Sequence, residues 1–187
     1  MALTRINNQA LTNVTSAGLP SGSVLQVKST LLTTTGSFAV ASGTQISIPS
    51  CSVTITPTTS SSKFLIFARM FGEWSAGSAA DVGVNIYRTG GGGNTNVNSG
   101  ATAGSRSTIM QAIGIGYFDE NQSTPEHNTL FALDSPSTTS NVTYQIGIKN
   151  SHPSAGYTWY YNRTATHTNA INYEVGSTEI VVQEIAG

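Results

Sequence analysis

Charged side chains are scarce in this sequence, and their scarcity excludes several classes of partner. Only 9% of the 187 residues are Asp, Glu, Lys or Arg, whereas ordinary domains carry about 25%. The eight basic and nine acidic residues give a net charge of −1, which leaves no basic surface for nucleic acid or for an acidic membrane. Ser and Thr instead supply about a quarter of the chain. We therefore expect neither nucleic acid nor a membrane among its partners.

Cysteine and long apolar segments are scarce as well. Cys51 is the single cysteine, so the chain forms no disulfide with itself, which is compatible with synthesis in a reducing compartment. No apolar run approaches the roughly 20 residues of a membrane-spanning helix. The first residues also lack the lysine-flanked apolar segment of a signal peptide.

Motifs for catalysis or metal binding are missing too. The sequence contains no G-x-S-x-G and no C-x-x-C. Three histidines are expected in separate surface loops: His127, His152 and His167. A metal site formed by Asp119, Glu126 and His127 is the less favoured alternative, and the glycines at 90–93 lack the Lys-Ser/Thr of a phosphate-binding loop. We predict no catalytic residue, no metal, no cofactor and no enzymatic activity.

The sequence is rich in alternating apolar and polar residues, which predict β-strands. Residues 142–149 place Val, Tyr, Ile and Ile on one face and Thr, Gln, Gly and Lys on the other. The run FLIFARMF at 64–71 is apolar on both faces and favours a central core strand, with a helix as the alternative. Further strands are expected near 25–27, 46–48, 51–55, 81–88, 109–117, 130–133, 156–161, 171–175 and 179–185.

Turn-rich segments are expected to separate these strands as loops. The main loops are predicted at 30–43, 57–62, 89–107, 119–127 and 134–141. About ten short strands without a convincing helix predict an all-β protein, either an antiparallel β-sandwich or a barrel. Of these we favour a sandwich of the jelly-roll type, with the strand at 179–185 inside a sheet.

Two parts of the chain are predicted to differ in role. The sequence GLPSG at 18–22 marks a boundary between an N-terminal segment, 1–20, and a β-sandwich head domain, 21–187. In the extended N-terminal segment, Leu3, Ile6 and Leu11 are candidates for anchoring the protein to a partner. A frayed terminus is the alternative for this segment.

One aromatic cluster is a candidate contact site for a ligand or a neighbouring subunit. It consists of Tyr157, Trp159, Tyr160, Tyr161 and Arg163. Aromatic faces stack on sugar rings and anchor protein interfaces. Alternatively, alternate members fill the core while the others pack on a neighbouring subunit. Four N-x-S/T triplets occur at the frequency that the composition predicts: at Asn13, Asn121, Asn141 and Asn162.

Several segments together resemble a domain found in virion proteins of tailed phages, particularly marine and cyanobacterial phages. These segments are GLPSGSVLQV at 18–27, ITP at 55–57, SSKFLI at 61–66, LDSPSTT at 133–139 and EIAG at 184–187. The resemblance covers most of residues 18–187. It implies a compact jelly-roll sandwich similar to the heads of tumour necrosis factor and complement C1q. Such heads are usually homotrimers displayed on a tail fibre, a spike or a capsid.

The resemblance leads us to expect a non-enzymatic structural protein of the virion, made in the cytoplasm of the bacterial host. Because a repetitive shaft is absent, a capsid decoration or short head fibre is favoured over a long tail fibre. Residues 1–20 would anchor this homotrimer to the major capsid protein or a tail protein. The alternative is a tail-fibre or spike head that recognises host-surface glycan through residues 157–163 or 90–106. A polysaccharide depolymerase is the least favoured function.

Overall fold

The described strands of this protein are all paired into antiparallel sheets. The computed structural model describes residues 18–75, 81–114 and 124–187. These ranges contain no α-helix, and their strands are β1 (Val24–Leu32), β2 (Gly36–Val40), β3 (Gln45–Ile55), β4 (Lys63–Trp74), β5 (Val82–Gly90), β6 (Thr95–Val97), β7 (Gln111–Ala112), β8 (Glu126–Asp134), β9 (Val142–Asn150), β10 (Tyr157–Tyr161) and β11 (Thr178–Ile185). The candidate anchor residues Leu3, Ile6 and Leu11 lie outside the described ranges, so the anchor stays a prediction.

Sheet A is built around β4. Residues 64–69 of β4 pair with β11 along one edge and with β8 along the other. The strand β1 pairs with the free edge of β11, which gives the order β1, β11, β4, β8. At the far end of β4, β10 replaces β11 as its neighbour and pairs in turn with β2. The predicted position of the strand at 179–185 inside a sheet is therefore confirmed.

Sheet B covers one face of sheet A, and the core lies between the two layers. Its strands follow the order β3, β9, β5, β6, and the short β7 also pairs with β5. Phe64 of sheet A and Tyr144 of sheet B meet in this core with ring centroids 5.7 Å apart. Alternate residues of β8, β9 and β11 are buried there, as the period of two requires. The predicted all-β sandwich is confirmed, whereas its jelly-roll type stays a prediction.

Two predicted loops turned out to contain strands. The segment 30–43 was expected to be a loop, but β1 continues to Leu32 and β2 occupies Gly36–Val40. Its Thr and Ser residues suit a half-exposed strand as well as a turn, and Val40 is buried against the core. The strand β6 likewise lies within the glycine-rich segment 89–107, where Val97 is buried.

Other strand boundaries were also wrong. The segments 46–48 and 51–55 form one strand, β3, whose pairing with β9 is interrupted between Ser47 and Ser52. The alternating residues 171–175 form no strand beyond an isolated bridge from Val175 to Arg163, and Ile171 is fully exposed. An alternating apolar and polar pattern forms a β-strand only where the edge of another strand is available for pairing. Of the strand predicted at 109–117, only Gln111–Ala112 is a strand among the described residues 109–114, and residues 115–117 lie outside the described ranges.

Candidate functional site

Two neighbouring strands of sheet A carry apolar side chains on both of their faces. In β8, Leu130 and Ala132 point into the core, whereas Phe131 and Leu133 point outward with 72% and 49% exposure. In β4 the outward-facing Phe67 is 41% exposed. A sheet face that meets water usually carries polar residues at these positions. The apolar run at 64–71 therefore does form a central strand, but only one of its faces belongs to the core of this chain.

The outward apolar residues lie beside one another across the strands. Residue pairing places Val181, Phe67 and Phe131 in one row across β11, β4 and β8, and Leu65 and Leu133 in the next. We call these five residues the apolar face. A shallow groove of about 140 Å³ runs along it beside Thr129.

The first strand extends this surface further. Val24, Val27 and Leu31 of β1 are each at least half exposed. With the apolar face they present on the order of 600 Å² of apolar surface, taking about 200 Å² for a fully exposed aromatic side chain. That is at the upper end of what one patch of a monomer exposes, and approaches the roughly 800 Å² that each partner buries in a standard interface.

The charged groups beside the apolar face are largely paired with each other. The Nε of Arg69 lies 3.2 Å from Oε2 of Glu179, and the same guanidinium donates hydrogen bonds to the carbonyl and hydroxyl oxygens of Ser177. An exposed pair of this kind contributes at most about 1 kcal/mol to stability. It also means that covering the face would not leave either charge without a partner.

Residues 22 and 23 lie beside the end of the chain at one end of sheet A. The backbone N–H of Gly22 donates to the carbonyl of Ala186, and the N–H of Ala186 donates to the carbonyl of Ser23, both at 2.8 Å. Residues 22 and 186 therefore lie side by side at the end of the β1–β11 pair.

A buried carboxylate fastens the same end of the sheet. Glu184 of β11 is fully buried and accepts hydrogen bonds from Nε2 of Gln26 (2.5 Å), from the backbone N–H of Thr58 (2.5 Å) and from the Thr58 hydroxyl (2.9 Å). Burial raises the pKa of Glu184, but hydrogen bonds from Ser62, Gln26 and Thr58 lower it more, so its pKa is below the ordinary value. The carboxylate thus joins β11 to β1 and to the turn that precedes β4.

A second polar cluster fixes the end of β8 next to Leu133. One oxygen of Asp134 accepts hydrogen bonds from Nη1 of Arg88 at 2.7 Å and from the Tyr144 hydroxyl at 2.8 Å. Arg88 also donates to the carbonyl of Gly92 at 2.6 Å. Burial, together with the charge of Asp134, raises the pKa of Tyr144 far above its ordinary value. These contacts link sheet A to sheet B and hold the loop that follows β5.

The aromatic cluster belongs mainly to the core. Trp159 is fully buried, its ring lies 5.2 Å from that of Trp74, and a side chain at Gly72 would collide with it. Trp159 therefore cannot contact a ligand or a subunit from this position. Tyr157 and Tyr161 are half-buried and pack against the same core.

The remaining pair of the cluster is closer to the surface. The guanidinium carbon of Arg163 lies 4.4 Å from the ring centroid of Tyr160, a cation–π contact, and both residues are half-buried. Arg163 also donates hydrogen bonds to the carbonyls of Thr164 and Ala165. Tyr160 and Arg163 stay candidates for a contact site, although these bonds within the chain already engage the guanidinium.

The other candidates from the sequence do not converge on one site. Nδ1 of His152 accepts hydrogen bonds from the backbone N–H groups of Ser154 and Ala155, whereas His127 lies on β8 rather than in a loop. The described residues contain no group of three or more His, Cys, Asp or Glu that could hold a metal ion. Asp119 lies outside the described ranges, so that candidate site is not described.

One of the four N-x-S/T triplets has a structural role. Asn162 is fully buried with a φ of +58°, and its Nδ2 donates to the carbonyls of Leu32 and Thr34 at 2.8 and 2.9 Å. Its Oδ1 accepts a hydrogen bond from the Thr178 hydroxyl at 2.7 Å. This side chain is not accessible for glycosylation, because it is fully buried. Its hydrogen bonds connect the end of β10 to β1 and β11.

The residues of the apolar face were not singled out from the sequence. The signal was present, because both LFAL at 130–133 and FLIFARMF at 64–71 lack the polar alternation of a solvent-facing strand. We interpreted it as burial within one chain. A strand that is covered by another molecule on its second face has the same pattern.

Neither comparison with known sequences identifies a relative: no family model and no curated protein matches this chain. Among the described residues, no helix has the length and apolar character needed to cross a membrane. The function is therefore inferred from the geometry above and from the resemblance of the sequence segments.

Proposed function

We propose that this protein is a non-enzymatic structural protein of a phage virion, which assembles as a homotrimer through the outer face of sheet A. The observation that carries the proposal is the apolar face, where Phe131 and Leu133 of the edge strand β8 are exposed beside the exposed Phe67 of β4. Burying such side chains contributes about 1.5–3 kcal/mol each. A second copy of the chain is a suitable occupant, since the face is nearly free of unpaired charge.

The composition supports association between copies rather than with a highly charged partner. With eight basic and nine acidic residues in the whole chain, an interface between copies requires little desolvation of ions. Hydroxyl and amide side chains around the apolar face can pair across the interface as hydrogen-bond donors and acceptors. Such a rim around an apolar centre is typical of protein interfaces.

Threefold symmetry would also give the N-terminal segment a function. In a cyclic trimer all copies point the same way along the axis, so three segments would leave the heads at the end where Gly22 meets Ala186. Three linked weak contacts bind a surface far more tightly than one. The proposed role for Leu3, Ile6 and Leu11 is to provide these contacts on the capsid or tail.

Light scattering on the purified protein tests the assembly. We expect a mass near three times 19.5 kDa, and a Phe131→Asp variant that is folded but shifts to the monomer mass. Ile171→Asp is the matched control, because it introduces the same charge at another exposed apolar residue that lies in a loop. A monomeric wild-type protein, or equal masses for wild type and Phe131→Asp, would contradict assembly through this face.

Particle binding tests the virion assignment separately. Protein lacking residues 1–20 should keep the strand content and trimer mass of the full chain but fail to co-sediment with phage particles. If the truncated protein decorates particles as well as the full chain does, the anchor is elsewhere. If neither form binds particles, the virion assignment is wrong even where the trimer is confirmed.

A further inference from the structure

A polar cleft lies on the outer face of sheet B, on the opposite side of the sandwich from the apolar face. It has a volume of about 260 Å³. Its lining consists of Gln45, Ser47, Tyr87, Asn96, Thr108 and Lys149. These residues come from β3, β5, β6, β9 and the segment before β7, so the cleft is a product of the fold and not of one loop.

A glycine makes room for one of the side chains that line the cleft. Gly147 of β9 pairs with Ser47 of β3 on one side and with Asn85 of β5 on the other. A Cβ atom at residue 147 would come within 2.7 Å of Nε2 of Gln45. The side chain of Gln45 therefore occupies the space that any larger residue at 147 would fill, and it brings an amide into the middle of the sheet face.

A chain of hydrogen bonds holds the amides of the cleft in one orientation. The backbone N–H of Met110 donates to Oδ1 of the fully buried Asn85 at 2.7 Å, and Nδ2 of Asn85 donates to Oε1 of Gln45 at 2.8 Å. Nε2 of Gln45 then donates to Oδ1 of Asn96 at 2.9 Å. Because each oxygen in this series is already an acceptor, the Nδ2 group of Asn96 is left to donate into the cleft.

Several other polar groups of the cleft are also available. The hydroxyls of Ser47, Tyr87 and Thr108 make no hydrogen bond with any of the described residues. Nζ of Lys149 donates one hydrogen bond, to the carbonyl of Gly43 at 2.5 Å, and so has two further N–H groups. No Asp or Glu is present in the described lining to neutralise this ammonium group.

We propose that this cleft binds a single acidic sugar residue of a glycan. Hydroxyls and amides match the alternating donors and acceptors of a sugar, the Tyr87 ring supplies an aromatic face for it, and Lys149 would pair with its carboxylate or sulfate. The cleft is smaller than the roughly 300–1,000 Å³ of sites for drug-sized ligands, which suits one sugar ring. A phosphate would require more cations or a nest of backbone N–H groups than the cleft provides.

This binding would be an additional function of the head. Since the cleft lies on sheet B, it stays open to solvent when sheet A is covered by other copies. Its test does not depend on assembly either, because the monomer carries the complete lining. A monomeric protein that binds the sugar would contradict the trimer and leave this proposal intact.

Saturation-transfer NMR on the full chain provides the test, with a galacturonate oligosaccharide as probe and a glucose oligosaccharide of equal length for comparison. We expect transfer to the acidic probe and at least tenfold weaker binding of the neutral one. Tyr87→Ala, Asn96→Ala and Lys149→Gln should each weaken binding of the acidic probe about tenfold or more.

Two matched controls accompany these variants. Lys28→Gln removes a lysine that, like Lys149, donates to a backbone carbonyl, here that of Thr54 at 3.1 Å. Thr143→Ala alters the same face of β9 outside the cleft, and both controls should bind as wild type does. Absence of transfer to the acidic probe, equal binding of both probes, or equal loss in variants and controls would overturn the proposal. Asn96→Ala keeps the test valid if Tyr87→Ala fails to fold.

Discussion

Replacing the buried carboxylate of Glu184 by an amide should destabilise the protein strongly at neutral pH and weakly in acid. The carboxylate accepts hydrogen bonds from Nε2 of Gln26 and from the N–H and hydroxyl of Thr58, and no cation is among these partners. In Glu184→Gln one oxygen becomes an NH₂ group. That group faces the Gln26 amide or the Thr58 donors, so at least one short hydrogen bond becomes a contact between two donors.

The expected loss follows from the type of hydrogen bond. Bonds to a charged acceptor contribute about 1.5–3 kcal/mol each, and a neutral pair contributes about half as much. Losing one bond and weakening the others gives a loss of about 3 kcal/mol in the free energy of unfolding. For a domain of this size that corresponds to a decrease of roughly 6–12 °C in Tm.

The pH dependence has a definite sign. Burial raises the pKa of Glu184, but the hydrogen bonds from Ser62, Gln26 and Thr58 outweigh burial, so the pKa in the folded state is below the ordinary 4.5. A lowered pKa stabilises the folded state fully above the unfolded-state value, and this stabilisation is lost as the pH falls through the folded-state value. The difference between wild type and Glu184→Gln should therefore be constant from pH 7 to about pH 5 and shrink below about pH 4.

Thermal unfolding followed by circular dichroism between pH 7 and pH 2.5 measures this difference. Glu179→Gln is the control, since Glu179 lies on the same strand but forms an exposed pair with Arg69, and it should cost less than about 1 kcal/mol. The reasoning is refuted if Glu184→Gln costs no more than the control at pH 7. It is also refuted if the difference between wild type and Glu184→Gln stays the same down to pH 2.5.

Three further substitutions or treatments probe the polar contacts of the core. Arg88→Met should destabilise the protein by about 3–5 kcal/mol in urea unfolding, because it leaves the Asp134 carboxylate without its ion partner, and adding Asp134→Asn should recover part of the loss. Asn162→Asp should cost about 3 kcal/mol or more in the same assay, since its new oxygen would face two carbonyls. Burial, together with the charge of Glu179, raises the pKa of Cys51 to about 11, so a thiol reagent at pH 8 should modify Cys51 only in denaturant; rapid modification of the native protein would contradict its burial.

The fold class could be predicted from the sequence because strands such as β9 and β11 follow the alternation rule closely. In β9 every second residue from Val142 to Ile148 is buried, and the turn-rich segment 135–141 connects it to β8 as expected. The segments that failed are rich in Thr and Ser, as in 30–43, or apolar without a neighbouring strand, as in 171–175. Whether such segments form strands depends on contacts distant in sequence, such as the bond from Asn162 to the carbonyl of Leu32.

The candidate sites were harder to predict than the fold. The cluster at 157–163 has the composition of a binding surface, but pairing of β10 with β2 and β4 buries Trp159. The apolar face depends on the strand register that brings Val181, Phe67 and Phe131 together. The sequence of any one of these strands does not determine that register. The polar cleft depends in the same way on Gly147 lying opposite Ser47 and Asn85. Each site is a set of cross-strand neighbours, which a sequence on its own does not identify.

The position of β11 determines when this protein can fold during its synthesis. β11 is the last described strand to be made, yet it lies between β1 and β4 and contributes the buried Ile180 and Val182. Until residues 178–185 have left the ribosome, β1 has no neighbour in sheet A and β4 exposes an unpaired edge next to Phe67. Such edges attract other strands, so we expect a chain that lacks residues 178–185 to aggregate more readily than the complete one. Folding should then be slow for a protein of this size, because its central pairing joins residues separated by most of the chain.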